Sequence, residues 1–205
     1  MIEKIIPGTN TKLRILKIIY EDSPINVTSL IKKAKTSPNL VLSYINNLNN
    51  FDITKEEKFG GKKKIHIRNL MPNFESDEAK LLYSLIEFDK KIIFLEKYKK
   101  LKFILKQIYE LIDKNIAFII IYGSYARFAA TKESDLDLLI VGKLNEEKIK
   151  RLKEIFILQN PQPSIKIESL KQFKSNLNKP LYQNIIKEHI ILYGSFNFMS
   201  INNSK

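Results

Sequence analysis

Apolar residues recur every three or four positions through most of the first 114 residues, then give way to continuous apolar runs separated by turns. Leu13, Leu16, Ile19 and Tyr20 keep helical spacing across residues 11–21, and Asp22-Ser23-Pro24 closes that stretch. A second short helix is predicted over 27–35. Thr36-Ser37-Pro38 then supplies an N-cap and a proline suited to the first helical position. The third helix turns Val41, Tyr44, Ile45 and Leu48 inward and leaves Asn39, Ser43, Asn46, Asn47 and Asn50 outward. Residues 52–58 and 62–68 read as two strands around Gly60-Gly61, a hairpin signal. From 75 to about 114 neither proline nor glycine interrupts the chain. Leu81, Leu85, Phe88, Ile92, Leu95, Tyr98, Leu101, Leu105, Ile108 and Ile112 step by three or four there. That spacing predicts one long helix or two in series, with a seam to be buried on the domain that follows or on a second copy.

From residue 115 the pattern changes to strands separated by helices: strand 116–122, a turn and short helix from Ser124, strand 136–141, helix 146–159, strand 164–168, then helices to about His189. Residues 190–195 read as a last short strand or a loop. Three helices and a hairpin, in the order seen over 1–72, resemble a winged helix-turn-helix, with Lys58, Lys62, Lys63 and Lys64 at the wing tip. The expected fold is therefore α+β in three sections. A winged helix-turn-helix domain spans 1–72, a helical connector 73–114, and a mixed sheet flanked by helices 115–205.

Charge changes the picture more than composition does. The chain of 205 residues has a formal net charge of +13 and no cysteine. Residues 1–72 carry 13 Lys or Arg against 6 Asp or Glu, and residues 115–205 carry 13 against 8. Such an excess suits a polyanionic partner, or a solvated lysine-rich surface. Without cysteine there are no disulfides and no thiolate metal sites. Since His66 and His189 are the only imidazoles, a bound metal would be a hard, oxygen-ligated cation. No apolar run is long enough to span a membrane, and the first residues lack the design of a secretory leader, so a cytoplasmic location is expected.

The candidate chemistry lies in Tyr122-Gly123-Ser124-Tyr125-Ala126-Arg127 and Ser134-Asp135-Leu136-Asp137. Gly123, lacking a β-carbon, lets backbone approach a phosphate, and Ser124 stands where a helix begins, with its amide and hydroxyl facing outward. Asp135 and Asp137 have the two-residue period that sets both carboxylates on one side of a strand, where a divalent cation relieves their repulsion. In this order and spacing, the segment 118–141 resembles the signature of the DNA polymerase beta-like nucleotidyltransferase superfamily, and within it the minimal nucleotidyltransferases of prokaryotes. The section order extends the likeness to 115–195.

The resemblance implies that Gly123 and Ser124 hold the β- and γ-phosphates of a nucleoside triphosphate, with ATP the expected one. It implies that Asp135 and Asp137 bind Mg²⁺ or Mn²⁺, that Arg127 contacts phosphate or braces the loop, and that Ser134 caps or orients the nucleotide site. Two positions depart from the pattern. Phe128 stands where the family has glycine, and Lys166 stands where its third acid is expected. Glu168, two residues on and on the same strand face, is the candidate third catalytic carboxylate if the strand shifts by one pair, and otherwise a strand-end surface residue. The expected activity is transfer of a nucleoside monophosphate to a hydroxyl on a protein, an RNA or a small molecule. The prokaryotic systems it resembles pair such enzymes with HEPN helical proteins, which makes a HEPN-like partner an expectation from resemblance. The alternative is a DNA-binding regulator or antitoxin whose domain binds nucleotide with impaired catalysis. Asn46, Asn47, Lys62, Lys63 and Lys64 are the candidate DNA contacts, although residues 36–54 contain no Lys or Arg.

Overall fold

A computed structural model describes residues 8–60, 66–157, 161 and 163–201, with the side chains of 58–60, 66–67 and 156–157 left aside. The chain forms two compact units, one within residues 8–86 and the other Glu87–Ile201.

The first unit begins with three capped helices: α1 (Asn10–Glu21), α2 (Val27–Ala34) and α3 (Pro38–Asn50). Thr9, Asn26 and Ser37 each accept a hydrogen bond from an amide of the first turn, which satisfies a donor that a helix start leaves open. Pro38 occupies the first turn of α3, as the sequence predicts. The inward face of α3 is as expected, with Val41, Tyr44, Ile45 and Leu48 all buried. Helix α1 buries Leu16 and Ile19 as expected but Ile15 in place of Leu13 and Tyr20, which are half-buried, and α2 buries Leu30 and Ala34. Asn46 is exposed and Asn47 half-buried.

Strands β2 (Thr54–Gly60) and β3 (His66–Pro72) pair antiparallel from Thr54↔Pro72 to Gly60↔His66. A two-residue strand absent from the sequence reading, β1 (Ile25–Asn26), adds to β3 and gives the order β1-β3-β2. Lys62, Lys63 and Lys64 lie outside the described residues, as do the side chains of Lys58 and His66.

The long apolar repeat divides into two helices, α4 (Asp77–Lys97) and α5 (Leu101–Tyr109), and the boundary between the compact units falls inside α4. The expected seam holds only in part. Leu101, Leu105 and Ile108 of α5 are buried, but Leu81, Leu85, Phe88 and Ile92 of α4 are exposed, at 61%, 57%, 54% and 40%. The buried apolar residues of α4 are instead Ala79, Leu82, Tyr83, Ile86 and Phe94. Helix α4 carries apolar side chains on more than one face, so spacing alone could not select the inward one.

The second unit is built on a mixed sheet of order β6-β5-β4-β7, formed by β4 (Ile116–Ile121), β5 (Leu136–Gly142), β6 (Pro163–Glu168) and β7 (Ile190–Tyr193). β4 runs antiparallel to both β5 and β7, while β6 is parallel to β5. Alternation sends Leu136, Leu138 and Ile140 to one face, where they pack with Leu101, Leu105 and Ile108 of α5 and Leu152 of α7 (Glu146–Ile157). Leu139 and Val141 go to the other face, against Phe173 of α8 (Leu170–Asn176), Tyr182 and Ile185 of α9 (Pro180–Lys187) and Phe198 of α10 (Ser195–Ile201). Of residues 190–195, Ile190–Tyr193 thus form a strand, and Ser195 already begins α10. Among the described residues no helix is long and apolar enough to cross a membrane.

His189, at the entry to β7, is buried, at 4%. Its Nδ1 donates to the Ile185 carbonyl oxygen at 2.9 Å, and its Nε2 stands 3.5 Å from Glu87, which also pairs with Lys90 at 3.0 Å.

Candidate active site

Strand β4 ends at Ile121, and the chain turns at once into a four-residue helix, α6 (Gly123–Ala126). The Tyr122 amide donates to the Asp137 carbonyl oxygen at 3.0 Å, which fixes the turn to β5. Gly123 has φ +71, and a β-carbon there would stand 3.1 Å from Asp137 Cγ and overlap its Oδ2. The glycine is thus required twice, by its left-handed backbone and by the carboxylate pressed against it. This contact joins the Gly-Ser turn to the aspartate pair.

Leu136 and Leu138 are fully buried on the α5 side of the sheet, so Asp137 between them faces the opposite side. Asp135, one residue before β5, is exposed and Asp137 is half-buried. Burial raises the Asp137 pKa above the ordinary carboxylate value, and the charge of Asp135 raises it further; the Ser164 hydroxyl and the Arg127 charge act the other way. Two carboxylates in electrostatic contact form an all-oxygen donor set, one of them held partly charge-averse by its surroundings. That set suits a hard divalent cation that takes its remaining ligands from phosphate and water. Among the described residues no third acid or imidazole joins them.

The remaining sequence candidates distribute as follows. Ser124 is half-buried at the start of α6, and its carbonyl oxygen accepts from the Ala129 amide at 2.9 Å. Arg127 is half-exposed and lies 3.6 Å from Glu188 while still acting on Asp137, so it braces the loop within electrostatic range of the site. Ser134 closes the loop before β5: its hydroxyl accepts from the Thr131 amide at 2.9 Å. Phe128 keeps the left-handed conformation that glycine favours, with φ +58. Its ring packs on Phe94 and Tyr98, and Lys97 donates to its carbonyl oxygen at 2.6 Å. The bulky residue therefore anchors the loop to the end of α4. Tyr122 and Tyr125 pack under the turn on opposite faces of the sheet.

Glu168 is not brought together with the aspartates. The parallel register sets Ser164 level with Asp137, Lys166 with Leu139 and Glu168 with Val141. Glu168 is therefore four residues beyond the Asp137 level, about 13 Å along the strand. Neither is it a surface residue: it is 7% exposed and accepts a hydrogen bond from the Tyr182 hydroxyl at 2.6 Å. Lys166 lies between, its ammonium 4.6 Å from the centre of the Tyr182 ring. A hydrogen bond to Tyr182 raises its pKa, against partial burial and with help from the Tyr182 and Glu168 charges. Sequence reasoning missed Tyr182 and Ser164, since only the β5–β6 register and the path of α9 bring them here.

This arrangement, a mixed sheet bearing a glycine turn pressed against Asp137 on β5 with Asp135 just before the strand, is that of a nucleotidyltransferase. The family model described as "Polymerase beta, Nucleotidyltransferase" matches residues 99–196, which takes in α5 as well as the sheet. A Methanocaldococcus jannaschii protein whose name provisionally assigns it protein adenylyltransferase activity is 33% identical over 76 residues, 37% of this chain and 76% of the relative. The chain belongs to the polymerase beta nucleotidyltransferase family.

Proposed function

We propose that the protein transfers AMP from ATP to a hydroxyl group of a protein. The observation that carries the transfer reading is the close approach of Gly123 to the Asp137 carboxylate, which supports reading the turn as a phosphate cradle and the aspartates as its cation ligands. The M. jannaschii relative's name supports adenylyl as the group and protein as the acceptor.

In this reading the backbone at Gly123 and the hydroxyl and amide of Ser124 receive the β- and γ-phosphates. Asp135 and Asp137 hold Mg²⁺ or Mn²⁺. The bound ion would supply charge to the triphosphate and lower the pKa of the attacking hydroxyl. The acceptor oxygen forms a bond to the α-phosphorus, the bond from that phosphorus to the bridging oxygen breaks, pyrophosphate leaves, and the hydroxyl proton passes to solvent. Arg127, tethered to Glu188, keeps its positive charge near the phosphates. Lys166 is placed to add charge on the same face of the sheet, and Ser134 holds the loop that presents Asp135. Glu168 acts through Tyr182, positioning Lys166, rather than as a third metal ligand.

The first unit is proposed to be a winged helix-turn-helix, supported by three helices followed by an antiparallel hairpin and by outward Asn46 on α3. It would hold DNA or the acceptor. A HEPN-like helical protein is the proposed acceptor class, and the exposed apolar positions of α4 are the place where such a helix, or a second copy of the chain, would pack. Incubating the protein with each of four α-labelled nucleoside triphosphates, Mg²⁺ or Mn²⁺ and cell extract tests the reading. Labelled protein from ATP alone is expected. Label that appears only in RNA or small molecules would remove the protein acceptor.

A further inference from the structure

A cavity of about 730 Å³ opens where α4 meets α5, on the α5 side of the sheet. Tyr98, Leu101, Tyr125 and Ala130 line its apolar part, and Lys97, Lys99, Lys100 and Lys132 line its charged part. All four lysines are exposed. Lys97 is spent on the Phe128 carbonyl oxygen. Among the described residues no carboxylate pairs with Lys99, Lys100 or Lys132. One acid, Glu96, stands at the rim.

The cavity is tied to the transfer site at two points. Tyr125 is two residues from Gly123, and Lys132 is three residues from Asp135, so their Cα atoms lie within about 7 and 11 Å of those residues.

We propose that this cavity docks an acidic segment of the protein acceptor, carboxylates on Lys99, Lys100 and Lys132 and an apolar side chain against Leu101 and Ala130. The proposal rests on the AMP-transfer reading for its biological role but not for its test. An oligonucleotide fits the surface less well. Single-stranded nucleic acid is held by free ring faces on which bases stack. Here Tyr125 is only 7% exposed, and Tyr98 is packed on Phe94, Tyr125 and Phe128. Among the described residues no arginine lines the cavity to grip phosphate in two-pronged fashion. Point-charge lysines around an apolar floor match an acidic, partly apolar peptide, and such charge complementarity sets partner choice and encounter rate.

The experiment measures binding of a fluorescein-labelled random Glu/Tyr copolymer to the full-length protein by anisotropy. The variants are Lys99→Glu/Lys100→Glu/Lys132→Glu and, as a control for charge reversal elsewhere on the surface, the exposed pair Lys171→Glu/Lys174→Glu. Melting with and without ATP and Mg²⁺ verifies folding of each. The copolymer is expected to bind the wild type, to be released as salt rises, and to bind the cavity variant at least about tenfold more weakly. A Lys/Tyr copolymer is expected not to compete. Equal binding by both triple and double variants overturns the proposal, as does an oligonucleotide of matched charge that competes better than the copolymer through the same three lysines. In parallel, AMP label on the copolymer is read from α-labelled ATP. Binding without label leaves the docking site standing and removes the transfer reading, whereas label without cavity dependence removes only the docking site.

Discussion

Gly123 and Asp137 are the residues on which the site turns, because each constrains the other. Gly123→Ala forces a β-carbon into the Asp137 carboxylate and a side chain into a φ of +71, a conformation that costs about 1–2 kcal/mol for an L-residue before the overlap is counted. The variant is expected to melt lower and to transfer nucleotide at least about a hundredfold more slowly, measured as initial rate beside a thermal melt. Asp137 behaves in the opposite way. It is half-buried and repelled by Asp135, so the metal-free fold bears a cost to keep it ionised. Asp137→Asn should raise the melting temperature of the metal-free protein, while abolishing transfer and the added stability that Mg²⁺ with ATP gives the wild type. A variant that melts lower without metal would show that the carboxylate stabilises the fold instead. Phe128 shows how a departure from the family pattern is accommodated: the left-handed backbone persists, and the ring finds Phe94 and Tyr98.

At the scale of elements, α3 and β5 were legible because their apolar and polar positions separate cleanly. Capping by Ser37 and the alternation around Asp137 follow directly from residue order. Helix α4 was not, since apolar residues surround it and the choice of inward face depends on what it packs against. Nor could sequence set the register of β6. That pairing is fixed by contacts made across the sheet, and it moves Glu168 from the expected metal site to a partnership with Tyr182. The link from α4 to the start of β7 was equally hidden, because Glu87 and His189 are 102 positions apart in the chain. Burial alone would raise the Glu87 pKa, but the charges and hydrogen bonds of His189 and Lys90 overcome it and lower the value to about 2. A carboxylate depressed on folding contributes stability above its unfolded pKa, and that contribution is lost as pH falls from about 4.5 through about 2. Glu87→Gln is expected to lose on the order of 3 kcal/mol at neutral pH and to melt with a flatter acid limb than the wild type. Parallel acid limbs in the two proteins would remove the link.

Over the whole molecule, the family was readable from a short stretch, whereas the acceptor was not. The glycine turn and the aspartate pair are local in sequence. An acceptor surface is assembled from separate elements, and the cavity proposed for it draws on α4, α5 and the loop before β5. The surplus of Lys and Arg over residues 1–72 belongs to the same question. If that unit reads DNA, replacing Asn46 and Asn47 by Ala should relax sequence preference. Replacing Lys62, Lys63 and Lys64 by Ala should weaken binding to all sequences and reduce its salt dependence by a slope of up to about three. Electrophoretic shifts at several salt concentrations would read both effects, and unchanged shifts in both variants would assign the charge to another role.

Gly123, Ser124, Asp135 and Asp137 are proposed to make one nucleotidyl-transfer site. The most direct measurement compares ATP labelled at its α-phosphate with ATP labelled at its γ-phosphate, each incubated with Mg²⁺, cell extract and either wild-type protein or Asp135→Ala/Asp137→Ala. The wild type should leave label on an acceptor from the α-phosphate only and release pyrophosphate in equal amount, and the double variant should do neither. Acceptor label from the γ-phosphate, or α-label of the same intensity from the double variant, would contradict it.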